Sequence, residues 1–143
     1  MVATRFAVAI HILLLLACRQ RCGPATSHLI AESVNTNPVV VRRITGQLAR
    51  AGLVRVRRGP GGAELMRPPE AITLCDIWRA MNPGKPGPIL PLHAFPNRDC
   101  PIGRDVHHVL GQAFASVEHA MHLAMQGTTL ATLIASMQTK VAA

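Results

Sequence analysis

The chain contains no tyrosine, and its few aromatic side chains, Phe6, Trp78, Phe95 and Phe114, are scattered. Proteins that hold single strands stack successive bases on aromatic rings, so a nucleic-acid partner of this chain should be duplex DNA. Acids are scarce as well, with 7 Asp and Glu against 15 Lys and Arg. So few carboxylates offer no pair for general acid–base work, and neither a nucleophile elbow nor a phosphate loop is present. Ser27 and His28 are neighbours in sequence, which is not triad geometry. The chain therefore reads as non-enzymatic, with no cofactor expected.

The cysteines Cys18, Cys22, Cys75 and Cys100 lie at irregular spacing in a chain of 143 residues, long enough to bury a core without them. This excludes a disulfide framework and suggests reduced thiols in a cytoplasm. Core packing is expected for Cys18 and Cys75, while a bond between Cys22 and another thiol stays open. A long apolar run is also missing. Phe6 to Ala17 is too short to span a bilayer, so no membrane partner is expected. Leu-Leu-Ala-Cys at 15 to 18 imitates a lipoprotein cleavage signal. However, His11 interrupts the run and Arg19 and Arg21 follow it at once. The better reading is a buried first helix from Thr4, its cap, to about Arg21, ended by Gly23 and Pro24.

What the chain has in excess is positive charge, a formal +8. Arg42, Arg43, Arg50, Arg55, Arg57, Arg58 and Arg67 cluster around a lone Glu64, which concentrates the field in one segment. That segment, Ser27 to Met66, reads as helix, turn, helix and a hairpin. Thr26 or Ser27 can cap the first helix, and Val34 to Thr36 makes the turn. Asn37 can cap the second helix with Pro38 at its first position, where no backbone donor is needed. Helical spacing sends Val40, Val41, Ile44, Leu48 and Ala51 to a core and Val39, Arg42, Arg43, Gly46 and Arg50 outward. Alternation over Leu53 to Arg58 suggests a strand, Gly59, Pro60, Gly61 and Gly62 a turn, and Ala63 to Met66 the return. A slim basic helix beside a basic hairpin suits a major groove and its flanking phosphates.

Beyond the hairpin, Thr73 and Asp76 approximate a capping box for a helix through Ile77, Trp78 and Met81, with Trp78 expected in the core. Residues 82–100 are rich in proline and glycine and form a linker. Pro101 to Gln126 is the longest periodic segment. Val106, Val109, Leu110, Ala113, Val117, Ala120 and Ala124 form an apolar stripe on it, and a second copy of the chain is the simplest cover. Gly127 ends that helix, and Thr128 or Thr129 caps a last one to about Met137, after which the tail should fray. The expected fold is mainly α with a small β-hairpin wing. It comprises a winged helix-turn-helix domain over 1–81, the linker, and a dimerisation helix with a short terminal helix over 101–143.

With these residues in view, the chain resembles the Rrf-two (Rrf2) family of bacterial winged-helix regulators. The resemblance is carried by Leu-Ala-Arg-Ala-Gly-Leu-Val at 48 to 54 and Arg-Gly-Pro-Gly-Gly at 58 to 62. Arg-Pro-Pro-Glu-Ala-Ile-Thr-Leu at 67 to 74 and Asp-Ile-Trp-Arg-Ala at 76 to 80 add to it. It implies a homodimer on a near-palindromic operator, with the helix over 37–51 in the major groove, the wing at the minor groove and 101–126 crossing to the partner. The wing is shorter than in many members. Iron–sulfur members place three closely spaced cysteines before the long helix, where Cys100 stands alone in Asn-Arg-Asp-Cys-Pro-Ile-Gly at 97 to 103. A cluster held by local thiolates is not supported, and the chain looks like a cluster-free subgroup.

The resulting site comprises Ser27, Asn37, Pro38, Val39, Arg42, Arg43, Arg50, Arg57, Arg58, Gly59, Pro60 and Gly61. Val39, Arg42 and Arg43 are expected on bases, and Ser27, Arg50, Arg57 and Arg58 on phosphate. Cys100 is a redox candidate, because the start of a helix favours a thiolate. The alternative function is a sensor of oxidant or small effector whose basic surface is incidental. His108, His119 and His122 share one arc of the long helix. His108 and His119 are about 16 Å apart along it, too far for one ion within one chain, so no metal is assigned. The expected role is a sequence-specific repressor in the cytoplasm, binding double-stranded DNA as a homodimer.

Overall fold

The computed structural model describes residues 2–19, 24–58, 61–84 and 87–142. Arg21, Cys22, Gly23, Gly59 and Pro60, each assigned a part above, lie outside the described residues. The first helix, α1 (Val2–Cys18), buries Ala9, Ile12, Leu13 and Leu16, which helical spacing puts on one stripe. Two expectations for it fail. Thr4 lies inside the helix rather than capping it, and the helix closes at Cys18 rather than near Arg21. Cys18 is exposed instead of packed, because less than a turn separates it from Leu16 and it falls off the buried stripe.

Helix α2 (Ser27–Val34) is capped by Thr26, whose Oγ1 accepts the Leu29 N–H at 3.3 Å. Asn35 ends it in the left-handed region at φ 62°, a conformation asparagine tolerates better than most residues. The turn leads into α3 (Pro38–Arg50), where Asn37 Oδ1 accepts the Val40 N–H at 3.0 Å and Pro38 occupies the first position. Val41, Ile44 and Leu48 are fully buried and Val40 half so. Ala51 is exposed, contrary to expectation, because the helix has ended and Ala51 is its C-cap. Thr45 is buried beside the apolar stripe, its hydroxyl satisfied by the Val41 carbonyl at 2.6 Å.

Strands β1 (Val54–Val56) and β2 (Ala63–Leu65) pair antiparallel with Val54 opposite Leu65, Arg55 opposite Glu64 and Val56 opposite Ala63. They are shorter than the alternation suggested. Leu53 is drawn wholly into the core with its N–H on the Leu48 carbonyl, so the ladder starts one residue later. A single 3-10 turn at Pro69–Ala71 precedes α4 (Leu74–Met81), which has the full reciprocal Thr73 and Asp76 capping box. Trp78 is only half-buried, standing edge-on to Phe6 with ring centroids 5.1 Å apart.

Between 82 and 100 no described residue joins a helix or strand, yet the segment is laid along α5 (Pro101–Gln126). The Leu90 N–H donates to Glu118 at 2.8 Å, and His107 Nε2 bonds the His93 carbonyl at 2.7 Å. Helix α6 (Leu130–Ala142) follows Gly127 and is capped by Thr129, whose Oγ1 accepts the Thr132 N–H. It continues past Met137, since no glycine or proline interrupts it. Its Leu130 is fully buried in the core built by α1 to α4, with its N–H on the Ile72 carbonyl at 2.9 Å.

Candidate nucleic-acid interface

The start of α2, the outer side of α3 and the wing enclose an open cleft of about 740 Å³. Thr26, Ser27 and His28 line one wall, Arg42 and Gly46 the second, and Val56, Arg57 and Gly62 the third. The wing is fastened to the first wall through its backbone. The Ala25 N–H donates to the Ala63 carbonyl at 3.1 Å and the Ala63 N–H to the Ala25 carbonyl at 2.9 Å. Only glycine fits at 62, because φ is +68° and a Cβ there would stand 2.4 Å from the Ala25 oxygen.

Among the residues assigned from sequence, the cleft brings together Ser27, Arg42 and Arg57. Arg42 Nη1 donates to Ser27 Oγ at 3.4 Å. Asn37 is exposed but its Oδ1 is spent on capping, and Pro38 is half-buried beside it. Val39, 55% exposed, and Arg43 project from the same free side of α3 without lining the cleft. Arg50 lies at the far end of α3 and borders a separate hollow with Gln47 and Arg79. Arg43, Arg50 and Arg58 have no side-chain hydrogen bond or ion pair to any described residue. Gly61 packs on Arg57, whose Cβ would be 2.5 Å from an added methyl.

Some residues facing the cleft or braced on the wing were absent from the sequence assignment. His28 and Thr26 line the cleft, and Arg55 and Glu64 form a cross-strand pair on the wing. Glu64 Oε1 accepts from Arg55 Nε at 2.9 Å, from Arg55 Nη2, and from Arg57 Nη2 at 3.1 Å. The Arg55 hydrogen bond, assisted by Arg57, holds the Glu64 carboxyl below the ordinary carboxylate range. The expected turn over 59–62 would have set Arg57 opposite Glu64; the observed ladder instead pairs Val56 with Ala63 and so brings Arg55 opposite Glu64. No local pattern announced the Ala25 attachment.

On α5, Val109 and Val117 are 60% and 47% exposed, and Ala113, Ala120 and Ala124 are exposed too. Val106 and Leu110 are half-buried. Cys100 is exposed at the N-cap position of the same helix and makes no side-chain capping bond. His108 and His119 are exposed, whereas His122, on the same arc, is half-buried. No helix among the described residues is long and apolar enough to cross a membrane.

The comparisons agree with this architecture. The Rrf2 family model, described as an iron-dependent transcriptional regulator, matches residues 2–136. YwnA of Bacillus subtilis strain 168, named as an HTH-type transcriptional regulator, is 40% identical over 121 residues, covering 85% of this chain and 87% of its own. A crystal structure titled as a DNA-binding protein superposes with a TM-score of 0.70 at 35% identity, covering 91% of this chain and 98% of the other. CymR, the global cysteine regulator of B. subtilis, superposes with a TM-score of 0.68 at 27% identity, covering 92% and 94%. The family description names iron, but the donors among the described residues do not gather to fit it. Among the described residues no group of three or more His, Cys, Asp or Glu side chains could hold a metal ion. Cys75 is buried in α4, whereas Cys100 is exposed at the start of α5. By fold, by wing and by the length of the match, the chain belongs to the Rrf2 family of transcriptional regulators.

Proposed function

We propose that the protein is a sequence-specific double-stranded DNA-binding repressor that acts as a homodimer and carries no iron–sulfur cluster. The observation that carries this reading is the cleft, in which the α2 start, Arg42 and Arg57 converge beside the free basic side of α3. A helix N-terminus and guanidinium forks on either side of a slim helix are what two flanking phosphates require. Val39, Arg42 and Arg43 then reach base edges, and Ser27, Arg57 and Arg58 hold phosphate. Arg50 reaches the backbone from the opposite end of α3. The exposed stripe of α5 supports pairing with a second copy, which would present two reading helices to successive major grooves. Repression follows if the operator overlaps the polymerase site.

Duplex pools selected by the protein, followed by binding titrations at several salt concentrations, test the proposal. Operator binding gives sequence preference and a steep salt slope. Arg42→Ala should cost about 1–3 kcal/mol on the selected duplex and little on random duplex. Equal losses on both would make Arg42 a phosphate contact, and absence of any preference would reject the reading. A second reading starts from Cys100, exposed where the linker meets α5. It makes the thiol a sensor and the basic surface incidental. Oxidised and reduced protein compared for duplex affinity, with Cys100→Ser as control, separates the two.

A further inference from the structure

We propose that Glu64 is an internal competitor of phosphate, which withholds Arg55 and Arg57 from loosely held DNA and so sharpens the regulator's choice of sequence. This rests on the duplex-binding reading above. One carboxylate oxygen takes N–H donors from both guanidiniums, Arg55 directly across the ladder and Arg57 from the wing's tip. Arg57 also lines the cleft, so the same fork faces two acceptors, the carboxylate on its own hairpin and whatever anion enters.

The arrangement is exchangeable. The Arg55 and Arg57 side chains remain 56% and 54% exposed, and exposed ion pairs are weak. A phosphate fixed in register by the α3 contacts can take over a fork, whereas one drifting along random duplex meets arginines already engaged. Arg43, Arg50 and Arg58 lack such a competitor among the described residues and supply the general attraction. A competing contact of this kind lowers affinity for every duplex, but most where nothing else fixes the phosphate.

The test compares the parent chain, Glu64→Gln, Glu64→Gln combined with Arg55→Gln and Arg57→Gln, and Glu70→Gln. Glu70 is exposed in the turn before α4 and has no arginine partner among the described residues, so its variant makes the same charge change without releasing a fork. Each is titrated with labelled random duplex and with the selected duplex over a salt series. Glu64→Gln should steepen the salt slope by about 0.9 for each guanidinium turned to phosphate, or about 1.8 for both. A tenfold dilution of salt would then raise its random-duplex affinity about 60-fold more than the parent's, and the preference for selected duplex should shrink. An unchanged slope, the same gain in Glu70→Gln, or a gain that survives loss of both arginines overturns the proposal. So does an Arg55 Nε–H signal that stays unmoved in NMR when the parent is saturated with selected duplex. A parent chain that binds no duplex removes the functional reading and this inference together, whereas a binding parent with an unmoved variant removes the inference alone.

Discussion

Replacing Gly62 by alanine should loosen the wing from the start of α2. The residue sits at φ +68°, and an added Cβ would lie 2.4 Å from the Ala25 oxygen and 2.6 Å from its carbon, both backbone atoms that cannot rotate away. Left-handed backbone costs an L-residue roughly 1–2 kcal/mol. Relieving the contact must also open the paired Ala25 and Ala63 hydrogen bonds, each worth about 0.5–1.5 kcal/mol net. The total is about 2–5 kcal/mol, a large part of the stability of a domain this size. Gly52→Ala is the internal control, since Gly52 has φ +77° with nothing within 4 Å of the built Cβ. It should show the backbone cost alone, about 1–2 kcal/mol. Denaturant unfolding of both variants reads the difference directly, and duplex affinity should fall in Gly62→Ala more than in Gly52→Ala. If the two variants unfold within about 0.5 kcal/mol of each other, a spread ordinary surface changes also show, the Ala25 attachment does not brace the wing.

Asn37→Ala should destabilise the protein by about 1 kcal/mol while Asn37→Gly costs only a few tenths, measured by denaturant midpoint, because the side chain caps α3. Glu64 gives a pH signature with a definite sign. Its folded pKa is depressed, so its pairing with Arg55 and Arg57 contributes stability above the ordinary carboxylate range, and that contribution is lost as pH falls through the lower folded value. The unfolding midpoints of the parent and Glu64→Gln should therefore converge in acid and separate toward neutrality; parallel curves would contradict the pairing. Val117→Glu, in the middle of the exposed α5 stripe, should leave the helical circular dichroism unchanged and shift sedimentation to the monomer, with loss of operator binding.

Features closed within one turn of chain were legible from the sequence. The Asn37 and Pro38 start of α3 and the Thr73 and Asp76 capping box each join residues no more than three apart, so composition and spacing reveal them. The buried positions Val41, Ile44 and Leu48 followed from the helical period. The family resemblance rested on the same local strings, and the comparisons support it. Misreadings gathered at element ends, as with Ala51, Cys18 and Thr4, where the period holds but the helix begins or stops elsewhere.

The amino-acid sequence by itself determined the helix-turn-helix, the hairpin and the concentration of guanidinium on one segment, because caps, periodicity and turn chemistry act over a few neighbouring residues. Only the tertiary structure decided that Ala25 braces the wing, that Arg42 meets Ser27 while Arg50 borders a separate hollow, that the linker lies along α5, and that Leu130 returns to fill the core. Those contacts join segments distant in the chain, and their partners are selected by the packing of the whole core, which no local pattern encodes.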